Sequence, residues 1–459
     1  MNVYCKYCKK ILHSTDAEAH PECLLEVESY QTVSHEELSN LKSLMSQITT
    51  GETSQSLYTT RERHVIGLNL KGLGLEQLPQ ETFQLPHLTF LDLSDNAIGE
   101  LPPEVSNLTH LQKLNLANNA LTDLPSSLCS LKHLSFLNLY NNQLKEFPPN
   151  IGDLRFLRHL WAPENKLASI NGSFKALTNL TQLILWRNDL NRFPSHICYL
   201  PRLEVLDLRG NGFDEVCRGI GNLKTLKRLN LSFNPLKTIP ETLQLCSGLE
   251  DLFLLQCGLE EFPSVQGLQL RSLVLQENRL TEVPSWVGDM RNLEVLNLQH
   301  NEITSLPSSL ANLTSLRQLW LSDNPIVGFS LNLSQLSSLE GLGLAGLQLK
   351  AVPEGVYLLK DLQQLVLSDN HIDVVPAWLK DLKHLGGLWL DLNNIVELPQ
   401  ELGHLFNLET LSLAYNDLQS IPHSILSLPE LKALHLQGNR SVRLPAEIFE
   451  RPNLTIDLF

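Results

Sequence analysis

Long hydrophobic runs are missing from this 459-residue chain, and no stretch approaches the ~20 apolar residues that a membrane-spanning helix requires. The first residues, Met1-Asn2-Val3-Tyr4-Cys5-Lys6, lack the apolar centre of a signal peptide, so a cytoplasmic location is expected. Basic residues are in deficit: 35 Lys and Arg stand against 50 Asp and Glu, a formal charge of −15. Such a chain repels phosphate backbones and anionic lipid, which argues against nucleic acid or a membrane surface as partner. Charged residues are also few at 19% against 42% hydrophobic, which excludes wholesale disorder. Catalytic signatures are missing as well: there is no GxSxG, GxxxxGK[ST], HExxH or EF-hand loop. Gly341-Leu342-Gly343-Leu344-Ala345-Gly346 fits GxGxxG, but its leucines belong to a repeat and no phosphate-binding helix follows.

Paired cysteines are scarce too. Cys129, Cys198, Cys217, Cys246 and Cys257 have no common spacing, which suits a reducing compartment better than a disulfide framework. The other three lie near the start, as Cys5-Lys6-Tyr7-Cys8 followed after eleven residues by His20-Pro21-Glu22-Cys23. This C-x2-C-x11-H-x2-C spacing offers three thiolates and an imidazole, the donor set of a closed tetrahedral zinc site. Four protein ligands leave no open position, so one structural zinc on Cys5, Cys8, His20 and Cys23 is expected. The blander alternative is four unrelated residues in a polar tail. The segment 1–25 resembles half of a treble clef or a short zinc knuckle.

What the chain has in abundance is leucine at fixed intervals. From Val65 onward the pattern LxxLxLxxNxLxxLPxxLxxLxx recurs in 17 copies of 23 residues, with only the ninth, 249–269, shortened to 21. Leu at repeat positions 4 and 6 describes a short strand with one buried face, leaving positions 3, 5, 7 and 8 outward. Position 9 is Asn in 14 copies, where a buried amide bonds the backbone of its own and the adjoining turn. Cys257 stands there in the ninth copy, and Leu73 and Leu347 in the first and thirteenth, where the amide ladder should weaken. Pro at position 15, again in 14 copies, removes a donor and fixes φ, so the return should be irregular rather than a second sheet. Coils of this kind stack into an α/β-type repeat solenoid, a curved horseshoe with a parallel sheet on its concave face.

This pattern resembles the leucine-rich-repeat superfamily in its typical 23-residue intracellular class, over residues 65–459, and within it the Ras-group and Scribble-type scaffolds that share the Leu-Pro signature. The resemblance implies a protein-binding concave face and a protein partner, such as a small GTPase or another signalling protein. It transfers no individual functional residue. Between the zinc-like segment and the repeats, residues 26–64 read as a helical cap and linker. Ser34-His35-Glu36-Glu37 is a capping box, and Leu38, Leu41, Leu44, Met45 and Ile48 form one apolar stripe. The repeats are expected to form one continuous solenoid, with its weak point at the short copy.

Function is therefore expected to be a protein-interaction scaffold or adaptor and not an enzyme. The alternatives are a ubiquitin-ligase-like recognition subunit recruited through the zinc segment, and a small-molecule sensor. The expected contact residues are aromatics and arginines at outward positions: Phe136, Tyr140, Trp161, Trp186, Phe233 and Phe253, interleaved with Arg187, Arg209 and Arg228. A second, smaller patch sets Trp320 and Trp389 on either side of a notch at Gly341 and Gly343, rimmed by Asp323, Asp369 and Asp391. Histidines near the copy junctions, among them His87, His110 and His133, are expected to be solvated and without a role.

Overall fold

A computed structural model describes residues 3–4, 11–12, 34–48, 58–62, 64–440 and 442–458. The proposed zinc ligands Cys5, Cys8, His20 and Cys23 lie outside the described residues. Flanking the Cys-x-x-Cys segment, strands β1 (Val3–Tyr4) and β2 (Ile11–Leu12) pair antiparallel, Val3 with Leu12 and Tyr4 with Ile11. The chain divides into two compact units, Met1–Phe213 and Asp214–Phe459.

In the first unit, helix α1 (His35–Ile48) opens with half of a capping box: the Glu37 amide donates to Ser34 Oγ at 3.3 Å. The Glu37 carboxylate does not complete the box. Its Oε2 accepts instead from the amide of Val65, at 3.0 Å. Leu41 and Leu44 are buried, and α1 is tied to the first coil by Ser43 Oγ and Gln47 Nε2, both donating to Glu81 Oε1 at 2.8 Å. The sequence reading missed strand β3 (Tyr58–Arg61), which pairs antiparallel with β4 (His64–Asn69). It covers the edge that a stack of parallel strands would otherwise leave bare. The one local sign of it is Gly67, where a Cβ would collide with Thr59 Oγ1.

From β4 onward each coil contributes one strand of about three residues. Seven parallel strands lie in the first unit, ending with Val205–Asp207, and eleven in the second, from Arg228–Asn230 to Thr455–Asp457. Register is fixed by the position-4 leucines: Leu91 faces Leu114, then Leu137, Leu160 and Leu183 in turn. A slip of one residue would turn that buried row to solvent. In the second unit Leu252, Leu273, Leu296, Leu319 and Leu342 continue the same pattern. The short ninth copy does not interrupt its ladder, since Leu252 still faces Leu273.

The returns are more regular than expected. Nearly every copy carries a short 3-10 turn directly after its proline, for example Ser126–Ser130 after Pro125 at φ −67°. Proline's fixed φ suits this entry and its missing N–H forgoes nothing there. Where proline is absent in the fifth and twelfth copies, Asn171 and Asn332 cap the turn by accepting from the amides of Ser173 and Ser334. The ninth copy has no such turn, which is where its two missing residues were lost.

The asparagine ladder holds each coil to its neighbour. Asn142 Nδ2 donates to the carbonyls of Leu116, Leu139 and Tyr140 at 2.9, 3.1 and 3.3 Å, while its Oδ1 accepts from the Leu121 amide at 3.0 Å. The expected weakening at Leu73 and Leu347 is offset by the next asparagine. Asn96 Oδ1 accepts from both Leu73 and Leu75, and Asn370 Oδ1 from both Leu347 and Leu349. Cys257 serves as a structural thiol: its Sγ donates to the Leu231 carbonyl at 3.5 Å, and burial pushes the thiol up to about 12.

Candidate protein-binding surface

In strands such as Phe136–Asn138, His159–Trp161 and Gln182–Ile184, repeat positions 3 and 5 flank a buried leucine and stay half-buried on the outer sheet face. Much of this face is already spoken for by local structure. Asn115, Asn138, Asp207 and Asn230 at position 5 each accept from the amide two residues on. Such turns fix the backbone and leave these side chains little capacity for a partner.

The first unit carries a packed aromatic cluster on this face. Phe136 meets Trp161 edge-on with ring centroids 4.9 Å apart, and Tyr140 lies 5.7 Å from Trp186. The Trp186 indole has two guanidinium neighbours, Arg209 at 4.9 Å and Arg187 at 5.6 Å from its centroid. Each guanidinium is also paired with a carboxylate, Arg187 with Glu164 at 2.8 Å and Arg209 with Asp207 at 3.5 Å. These pairs and stacks hold the side chains in place before any partner arrives, which lowers the ordering cost of binding. Burial raises the Asp207 carboxyl above its ordinary value, opposed by its contacts with Arg209. The indole N–H of Trp161 is buried without an acceptor.

The structure thus brings Phe136, Tyr140, Trp161, Trp186, Arg187 and Arg209 together in the first unit. Arg228, Phe233 and Phe253 belong to the second. There Arg228 Nε and Nη2 both donate to Asp251 Oδ2, at 3.1 and 2.9 Å, and Arg271 lies 3.6 Å from the other oxygen. Asp251 is buried, so this clamp is chiefly a solution to a buried charge. Phe233 is 48% exposed at the left-handed position of its coil, φ 59°. Sequence reasoning missed the carboxylates Glu164 and Asp251. Their signal was present, because each stands 23 residues from its arginine, one coil away.

The expected notch at Gly341 and Gly343 is filled. The Trp320 indole lies over both glycines: a Cβ on Gly343 would be 2.5 Å from Trp320 Cε3, and one on Gly341 3.0 Å from Cζ2. Trp389 similarly leans over Gly387 of its own strand. Glycine's missing side chain exposes backbone and leaves a flat apolar site, which the nearest large ring covers. The acidic rim is partly consumed as well. Asp391 accepts from the hydroxyls of Ser368 and Ser412 and from the Ala414 amide, and Asp323 lies 3.5 Å from His300.

Comparison with known proteins bears on what these coils are. A leucine rich repeat model matches residues 86–144, 269–326 and 384–440, and a leucine-rich repeat region model matches 126–236. A leucine-rich-repeat protein of Leptospira interrogans, known by structure, is 34% identical at a TM-score of 0.71, over 85% of this chain and 95% of that one. The chain belongs to the leucine-rich-repeat family. The plant peptide hormone receptor RGFR1, in complex with RGF2, is similar at 27% identity and a TM-score of 0.61, over 88% of this chain and 68% of the receptor. The Arabidopsis receptor kinase HAESA ectodomain, in complex with an extended IDA peptide hormone ligand, is similar at 25% and 0.52, over 91% and 82%. Comparison with curated proteins yields no match. As a leucine-rich-repeat protein, the chain has relatives that bind protein or peptide partners. Among its described residues no helix is long and apolar enough to cross a membrane.

Proposed function

We propose that this leucine-rich-repeat protein is a non-enzymatic scaffold that binds a protein or peptide partner on the outer sheet face of its first unit. One observation carries the reading: the Trp186 ring has the Arg187 and Arg209 guanidiniums 5.6 and 4.9 Å from its centroid and Tyr140 beside it on the outer sheet face. Tryptophan and arginine are the types enriched among binding hot spots, and here they are pre-ordered. The plant receptors bound to peptide hormones support a peptide-like occupant. The Leu-Pro repeat signature supports the Ras-group and Scribble-type class, and with it a small GTPase or signalling protein as partner.

The cysteines support a reducing, cytoplasmic setting, since Cys129, Cys198, Cys246 and Cys257 are buried and not in disulfides. For the N-terminal segment we retain a structural zinc on Cys5, Cys8, His20 and Cys23. The antiparallel pairing of β1 with β2, which stand on either side of the Cys-x-x-Cys segment in the chain, supports it.

The test sets two double substitutions against each other in pull-down from native lysate. Trp161→Ala with Trp186→Ala should abolish retention of the partners seen with the unaltered chain, and Trp320→Ala with Trp389→Ala should not. Equal retention by both doubles, with loss only on changing return-side residues such as Phe406, removes the sheet face as the contact surface.

A further inference from the structure

The histidines at the coil junctions are not simply solvated. His64, His87, His110 and His133 recur every 23 residues and form a column, with ring centroids 3.7, 5.7 and 6.3 Å apart along it. At the α1 end this column meets a buried acid. Glu37 is 4% exposed, and its Oε1 lies 3.4 Å from His64 Nδ1. One donor atom each from Glu37, His64 and His87 falls within 4.8 Å of the others. These donors come from three separate elements: α1, β4 and the loop after the first 3-10 turn.

We propose that Glu37, His64 and His87 bind a divalent transition-metal ion that fastens α1 to the first two coils. The donor chemistry fits, since two imidazoles and a carboxylate suit zinc and its neighbours. The spacing fits as well. A tetrahedral ion with bonds of about 2.0–2.1 Å holds adjacent donor atoms about 3.3 Å apart, close to the 3.4 Å between Glu37 and His64. The carboxylate is aimed before any ion arrives, because its second oxygen is held by the Val65 amide, as outer-shell bonds orient metal ligands elsewhere. That bond also explains why Glu37 leaves the capping box unfinished. A carboxylate–imidazole pair alone would account for Glu37 and His64. It does not account for a second imidazole tilted against the first, with ring centroids 3.7 Å apart and a nitrogen within 4.8 Å of the same carboxylate. With three protein ligands the fourth position belongs to water, so this ion exchanges more readily than one in the closed set of Cys5, Cys8, His20 and Cys23.

The experiment uses the full chain carrying Cys5→Ser and Cys8→Ser, which removes the thiolate set, stripped of metal and titrated calorimetrically with Zn2+. One equivalent should bind, and amides of α1 should exchange more slowly once it does. His64→Ala and His87→Ala should each weaken binding roughly tenfold or more. His110→Ala, a member of the same column outside the cluster, should leave it unchanged. Circular dichroism confirms that each variant keeps the solenoid. The proposal is overturned if the parent takes up no zinc, if His87→Ala binds as the parent does, or if His110→Ala weakens binding as much as His87→Ala.

Discussion

The two units are built from one repeat, yet their outer sheet faces are finished differently. The first unit places aromatic rings and guanidiniums at neighbouring positions, so that Arg187, Arg209 and Tyr140 all gather on the Trp186 ring. The second unit has small residues on much of the same face, including Ser272, Gly341, Gly343, Gly387 and Ala433, and its sheet-face Trp320 and Trp389 fold down onto glycine backbone. The lesson is that a tryptophan at an outward position is not by itself a contact residue. Its neighbour decides. Next to arginine and another ring it stands up as a platform, and next to glycine it lies flat and completes the surface of its own chain.

The interior, by contrast, should respond alike in both units, and the largest effect is expected there. Asn142→Ala in the first unit and Asn301→Ala in the second each strip one acceptor and three donor contacts from buried backbone. Each should destabilise its coils by about 3 kcal/mol, as leaving several buried polar groups unpaired implies, read by hydrogen exchange of the adjoining amides. A loss in one unit but not the other would break the equivalence of their ladders.

Alkaline pH should destabilise the second unit by a smaller amount. Burial pushes the Cys129 thiol up to about 11 in the first unit, and Cys246 and Cys257 to about 11 and 12 in the second. A group with a raised folded value contributes stability that is complete below its unfolded value and lost as pH rises toward the folded one. Between the ordinary value of 9.0 and about 11, each thiol therefore withdraws about 1.4 kcal/mol per pH unit. Cys246 and Cys257 together make the second unit alkali-sensitive. Urea midpoints followed from pH 8 to 10.5 should flatten in the Cys246→Ala, Cys257→Ala chain, and an unchanged slope would remove the thiols as the cause.

The fold was legible in the sequence because its determinants are periodic. Leu at positions 4 and 6, Asn at 9 and Pro at 15 each report one contact repeated in every coil, so errors average out. What escaped notice was aperiodic or depended on a neighbour's conformation. Strand β3 carries no repeat signal, and the redirection of Glu37 from its capping box depends on where Val65 arrives. The candidate surface was half-legible: residue types and faces could be read, but the filling of the notch could not. Whether a ring stands or lies flat is a rotamer choice made against a neighbour one coil away, as for Trp320 over Gly343, or on its own strand, as for Trp389 over Gly387. The pairs Arg187 with Glu164 and Arg228 with Asp251 sit at that same interval, and a search for opposite charges one coil apart would have found them.

The smallest expected effect is the sharpest test of the contrast between the faces. In the second unit Gly343 is buried, and a methyl group there would lie 2.5 Å from Trp320 Cε3 and 3.1 Å from Ser322 Oγ. The strand cannot yield, because Leu342 on either side of it is locked in register between Leu319 and Leu365. The indole can, by rotating outward about its side-chain torsions. Gly343→Ala should therefore cost only about 1 kcal/mol, the low end for overpacking, while shifting Trp320 emission toward that of solvated indole. Gly341→Ala, whose methyl group would approach the ring no closer than 3.0 Å, should do less of both. In a Trp320→Ala chain the Gly343→Ala penalty should largely vanish, since the clash it reports has been removed, and the difference between the two measures the coupling directly. If Gly343→Ala costs the same with and without Trp320, the ring does not rest on that strand. The second unit would then carry an open notch after all, and the two sheet faces would have to be weighed again as rival contact surfaces.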